Sequence, residues 1–269
     1  MTRTRWTLLV PLMLVGAGLL PGQKKEPIPI LPDLVPVWTS YSLQDIRMDL
    51  ARSNDRLVSC QDWTDVNPIP ITGQRVLSFT LGSPNFGLGH LRTRRQVTEE
   101  GWLYSQNLSY LNEDGTCTAY EVPVGIVPAD QAGRWLPLGK FSLYQVTEEG
   151  GVGEVVACQI KRWCCLISIP TCPITSPCPL PCQGDCINAG TRDVYGFHFL
   201  DQFIPIDGVK SGYYWVEHEI NPGPILWESN YDNNKLLFQI YMDQEAGTVT
   251  ITQAPEDPAQ CPTFFPPSP

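Results

Sequence analysis

Histidine is almost missing from this sequence: His90, His198 and His218 are all it has. No His-x-x-x-His, Gly-x-Ser-x-Gly or Gly-x-Gly-x-x-Gly occurs, so zinc proteases, α/β-hydrolases and dinucleotide enzymes lack their usual signatures here. Positive charge is also short, with 18 Lys and Arg against 28 Asp and Glu and a net charge of −10. Such a surface repels nucleic acid and anionic lipid. The one local basic cluster, Arg92, Arg94 and Arg95, is followed by Glu99 and Glu100 and reads as a solvated edge, so no nucleic-acid partner is expected. Past the first twenty residues no run is long and apolar enough to cross a bilayer as a helix.

Proline and glycine, by contrast, are plentiful, at 26 and 22 residues. Each proline inside a helix costs about 3 kcal/mol, so this composition excludes a helical bundle and favours short strands joined by tight turns. Strand-like runs occur at Arg75–Leu81, Trp102–Leu111, Cys117–Val122, Lys140–Val146, Val152–Ile160, Gln202–Ile206, Tyr213–Ile220, Leu236–Tyr241 and Thr248–Thr252. Turn residues such as Asn112-Glu-Asp-Gly115 and Asp207-Gly208 separate them. One helix is expected, over Ser42–Ser53. The pattern predicts an all-β fold, a β-sandwich of two mainly antiparallel sheets.

Arg3 and Arg5 precede an apolar stretch from Trp6 to Leu20 and then Pro21-Gly22, the layout of a secretory signal. The expected organisation is a signal over residues 1–22, a Pro-containing leader over 23–30, one domain over 31–253 and a Pro-rich tail over 254–269. Export to the cell envelope or outside the cell gives meaning to ten cysteines: Cys60, Cys117, Cys158, Cys164, Cys165, Cys172, Cys178, Cys182, Cys186 and Cys261. An oxidising compartment and an even count predict disulfides, without fixing their pairing. Seven of the ten lie between Cys158 and Cys186 with five prolines, a loop too poor in apolar residues to order itself. The three-residue gaps in Cys178-Pro-Leu-Pro-Cys182-Gln-Gly-Asp-Cys186 also suit a metal cluster, an alternative that spacing leaves open.

The paired carboxylates Glu99-Glu100, Glu113-Asp114 and Glu148-Glu149 sit beside turns and read as solvated. A denser group stands out at Glu228-Ser-Asn230-Tyr-Asp-Asn233-Asn234, whose hard oxygen donors suit Ca²⁺. An Asx-rich turn satisfying its own backbone is the competing reading.

The run Ala189-Gly-Thr-Arg-Asp-Val-Tyr195-Gly-Phe-His-Phe-Leu-Asp-Gln-Phe-Ile-Pro-Ile-Asp207 continues through Gly212-Tyr-Tyr and Asn221-Pro to Glu228-Ser-Asn-Tyr-Asp-Asn-Asn234. With the opening Leu31-Pro-Asp-Leu-Val35, Asn85-x-Gly and Phe141-Ser-Leu-Tyr144, this order of features resembles the lysyl oxidase family, especially its bacterial members. The resemblance implies a protein-lysine amine oxidase using Cu²⁺ and a lysine tyrosylquinone. It places Tyr195 at the quinone's precursor tyrosine. The copper histidines should fall in Pro128–Gly139, which has none, and no His lies between Leu91 and Phe197. Asp130, Gln131 and Arg134 are poor substitutes for imidazole at a cupric centre. The quinone's lysine should lie in the cysteine loop, yet Leu166 to Thr191 holds no Lys, and the nearest is Lys161. Tyr195 is then expected to be a buried ring.

The same resemblance implies a structural Ca²⁺ held by Asp33, the Leu34 carbonyl, Glu228, Asn230, Asn233 and Asn234, with Asn230 standing where relatives carry an acid. The expectation is a secreted, non-catalytic binding or structural module whose partner is an extracellular or envelope protein. Two alternatives stay open: a copper amine oxidase using His90, His198 and His218 beside Tyr195, and an Ig-like adhesion module of an envelope assembly.

Overall fold

A computed structural model describes residues 26–37, 45–58, 60, 69–99, 101–128, 137–162, 166, 168–178, 186–199 and 201–255. Eighteen strands lie among them. The first six are β1 (Ile28–Ile30), β2 (Arg47–Leu50), β3 (Arg56–Leu57), β4 (Ile69–Pro70), β5 (Arg75–Ser78) and β6 (Leu81–Pro84). Next come β7 (Leu91–Val97), β8 (Gly101–Leu111), β9 (Cys117–Pro128), β10 (Gly139–Val146), β11 (Val152–Lys161) and β12 (Ile169–Pro170). The chain ends its strands with β13 (Cys186–Ile187), β14 (Thr191–Tyr195), β15 (Phe203–Pro205), β16 (Gly212–Ile220), β17 (Lys235–Asp243) and β18 (Thr248–Gln253).

The pairing is antiparallel throughout, as expected, but the strands divide among five sheets rather than two. A five-stranded sheet runs β11-β10-β16-β17-β18, and a second joins β1, β8, β7 and β13 with β9 on β8. Two three-stranded sheets, β12-β14-β6 and β15-β5-β2, and the β3-β4 pair complete the set. Prolines at Pro70, Pro84, Pro128, Pro170 and Pro205, each closing its strand, keep many strands short, since proline cannot donate to a ladder.

Strand β17 shows why the main core forms where it does. Leu236, Phe238, Ile240 and Met242 alternate inward from it and are all buried. They meet Phe141 and Leu143 of β10, Val216 of β16, and Leu77, Phe79 and Leu81 from the facing layer. Burying each such side chain contributes about 1.5–3 kcal/mol. The Val76-to-Leu81 stretch does not have one wet face: Leu77 and Phe79 enter this core, while Val76 enters a smaller one with Ala51, Ile71 and Phe203.

Over Ser42–Ser53 the structure corrects most of the helix expectation: Asp45 is helical, but residues 47–50 are strand β2, and residues 42–44 lie outside the described set. Strand β5 overrides local helix propensity there, pairing Arg47 with Ser78 and Met48 with Leu77.

The cysteine expectation holds among the described residues. Cys60 is bonded to Cys158 and Cys117 to Cys178, and Cys172 and Cys186 are also disulfide-bonded. Cys178 and Cys186 are therefore not metal thiolates. Cys164, Cys165, Cys182 and Cys261 lie outside the described residues, as do the expected signal over 1–22 and the tail beyond residue 255.

Candidate functional site

Two buried polar clusters concentrate the chemistry. The first joins the segment after β1 to the loop between β16 and β17. Glu228 Oε2 accepts the Leu34 N–H at 2.7 Å, and Oε1 accepts the side-chain amides of Asn221 at 2.6 Å and Asn234 at 3.1 Å. Asp33 Oδ1 accepts the Asn233 amide at 3.0 Å. The amide oxygens of Asn233 and Asn234 are buried without a hydrogen-bond partner. Asn230 takes a lesser part, its Oδ1 accepting the Asp232 N–H in an exposed turn.

Local sequence explains this arrangement. Asn221 sits at φ 50°, tolerable for Asn, and its Oδ1 accepts the N–H groups of Ile225 and Leu226. Asn85, fully buried, accepts the Asp33 N–H at 2.9 Å and donates to Gly89 and Ile187. A Cβ at Gly87 would collide with the backbone of Leu31, Pro32 and Asp33, so Asn85-x-Gly packs where only glycine fits. Burial pushes the Glu228 carboxyl up to about 7, against the three hydrogen bonds that favour its charged form; nearby Asp33 raises it further. Burial also raises Asp33, opposed by the Asn233 hydrogen bond.

The second cluster surrounds Tyr195, a buried ring on β14 opposite Leu81. Lys161, at the end of β11, holds its Nζ 4.5 Å from the Tyr195 ring centroid. Sequence position alone left Lys161 ahead of the cysteine loop; the fold carries it onto the tyrosine. His218 of β16 packs on Phe141 with ring centroids 4.9 Å apart, and it lines one small cavity with Lys161, Tyr195 and Gln202. Burial, then the charge of Lys161, lowers the His218 pKa to about 3, so its imidazole is neutral at ordinary pH. Behind them Arg162 grips Asp201 at 2.7 Å.

The other histidines stand apart from this cavity. His90 Nδ1 accepts the Ala189 N–H at 3.1 Å, and burial followed by Arg92 lowers its pKa. His198 is exposed on the turn after β14, its ring against Phe199 at 4.6 Å and folded over Gly196. Among the described residues no three His, Cys, Asp or Glu side chains gather as a metal site. Asp130, Gln131 and Arg134 lie outside the described residues.

With strands, disulfides and both clusters in place, the comparison with known families has a structural frame. Residues 135–252, from just before β10 into β18, match the lysyl oxidase family. That span holds Lys161, Tyr195, His218 and Glu228, while Asp33 and Leu34 precede it. No curated protein matches the chain. Among the described residues no helix is long and apolar enough to cross a membrane.

Proposed function

We propose that this chain is a secreted, lysyl-oxidase-like module that binds or braces an extracellular or envelope partner without oxidising amines, its ends clipped by calcium. The observation that carries the reading is the distribution of imidazole. A lysyl oxidase match lacks any His where copper would sit, and the three histidines of the chain occupy separate surroundings. Copper therefore does not fit these residues. The disulfides suit an oxidising compartment.

Calcium does fit. Two carboxylates and two amide oxygens buried without partners form a hard-oxygen set of the kind Ca²⁺ accepts. Asp33, Glu228, Asn233 and Asn234 would hold the ion, with the Leu34 carbonyl and Asn230 completing the shell. The ion would offset charge that burial alone leaves costly. It would tie the first described segment to the loop between β16 and β17.

Metal analysis, calcium titration of the melting temperature and a phenylhydrazine quinone stain on purified mature protein test the reading. Bound calcium, a higher Tm with calcium and no stain are expected. Stoichiometric copper with a stained Tyr195 peptide overturns it. That outcome belongs to a second reading, a copper amine oxidase with atypical ligands, which one observation favours: Lys161 and His218 both border Tyr195.

A further inference from the structure

The outward face of β16, β17 and β18 takes no part in the core or in the calcium clip. There Tyr213 stands directly across from Tyr241, and Tyr241 across from Thr250. The two rings lie 5.0 Å apart, tilted at 56°, and Tyr213 is 56% exposed. Strand β18 alternates Val249 and Ile251, packed against the core, with exposed Thr248, Thr250 and Thr252. Gln239 adds an amide, its Oε1 accepting the Thr252 hydroxyl at 2.9 Å. Toward the other end of the face the charged side chains pair with one another: Lys140 with Glu219, and Lys235 with Glu217 and Glu219, at 3.3–3.7 Å. At the near rim Asp243 accepts the N–H groups of Glu245 and Ala246. On a chain of net charge −10 this face is therefore locally neutral, and charge draws neither a cation nor an anion to it.

We propose that this face binds a neutral polysaccharide, stacking a pyranose ring on Tyr213 with Tyr241 as a tilted side wall. The inference rests on the reading of the chain as an extracellular or envelope binding module and gives its partner a chemistry. An equatorially substituted pyranose has a flat side of C–H groups and a rim of hydroxyls. The weakly positive C–H groups suit the negative face of an aromatic ring. The rim both donates and accepts hydrogen bonds, as do the Thr250, Thr252 and Gln239 side chains. Tyrosine gives this contact area at small entropic cost, having only two torsions to fix. A protein partner calls for a broad apolar centre that excludes water, whereas here rings alternate with hydroxyls.

Native gel electrophoresis of the intact mature chain through hydroxyethylcellulose tests the proposal, with carboxymethylcellulose as an anionic polymer on the same backbone. Retardation in the neutral polymer is expected, and less in the anionic one, which the acidic chain repels. Tyr213→Ala should weaken the apparent affinity about tenfold, and Tyr213→Phe should leave it nearly unchanged because the ring does the stacking. Tyr120→Ala removes a ring 54% exposed on the other five-stranded sheet and should change nothing. Amide chemical shifts with cellohexaose give a reading that needs no variant, and should move at Tyr213, Tyr241 and Thr250. No retardation of the unaltered chain, equal retardation of folded Tyr213→Ala, or shifts confined to other strands overturns the proposal. A dimer that Tyr213→Ala dissolves, without retardation, overturns it in favour of a second copy. Calcium titration and quinone staining of the same sample keep the two proposals apart. Absent glycan binding with calcium bound and no stain sinks this inference alone, whereas a stained Tyr195 peptide sinks the non-catalytic reading and leaves glycan binding standing.

Discussion

The two buried clusters differ in the sign of their charge and in how each manages it. Around Glu228 the groups are acidic, and N–H donors from distant Leu34 and from nearby Asn221 and Asn234 converge on one carboxylate. Around Tyr195 the charge is the ammonium of Lys161, held over an aromatic face beside an imidazole that burial keeps neutral. Hydrogen bonds hold the first arrangement together. In the second, a buried cation lies against an aromatic ring and within electrostatic reach of Asp201 and His218. A domain can thus bury charge in two ways, and the acidic cluster leaves the amide oxygens of Asn233 and Asn234 buried without a hydrogen-bond partner.

Acid separates them most. His218 titrates near 3 when folded and near 6.5 when free, so the stability it confers is present above pH 6.5 and is lost as pH falls through 3. The loss amounts to about 5 kcal/mol at full extent. Urea midpoints across that window should show it, and His218→Gln should flatten the fall. Next in size, Glu228→Ala strands the three donors of Leu34, Asn221 and Asn234 and should cost about 4 kcal/mol by urea denaturation at neutral pH. A cost under about 1 kcal/mol would erase the contrast. Lys161→Met should change neutral-pH stability by only about 1 kcal/mol, because an apolar replacement also removes the cost of burying charge. It should raise the His218 pKa, measurable by NMR titration, since the Lys161 charge helps depress it. Smallest is Trp227→Ala, within about 0.5 kcal/mol by thermal melting, because the indole is 52% exposed and Gln106 holds the backbone on both sides of it.

The acidic cluster was largely legible in the sequence and the Tyr195 cluster was not, for a physical reason. Glu228, Asn230, Asn233 and Asn234 fall within seven residues, so their composition alone points to oxygen chemistry. Lys161 of β11 and His218 of β16 come together because β10 pairs with both strands, and Tyr195 of β14 meets them from the separate β12-β14-β6 sheet. No spacing rule reveals a contact made by sheet order. The nine expected runs, read from turn residues and alternation, all hold strands, several with ends off by only a residue, as at Gly139–Val146 and Gly212–Ile220. But β9 runs on to Pro128, Arg75–Leu81 divides between β5 and β6, and strands such as β7 and β14 were not expected. Strand β2 was missed because its four residues carry too little pattern to outweigh local propensity, and their partner β5 lies far ahead in the chain. The division into five sheets was likewise hidden, since strand runs do not state their neighbours.

The bond from Leu34 to Glu228 spans 194 positions. A ribosome delivers the receiving half of this latch last, so the opening segment has to wait, unfastened, for almost the entire remainder to be made. Closure is then a late event in assembly, and fragments that stop short of residue 228 should leave the Leu34 amide open to hydrogen exchange however well their other strands pair.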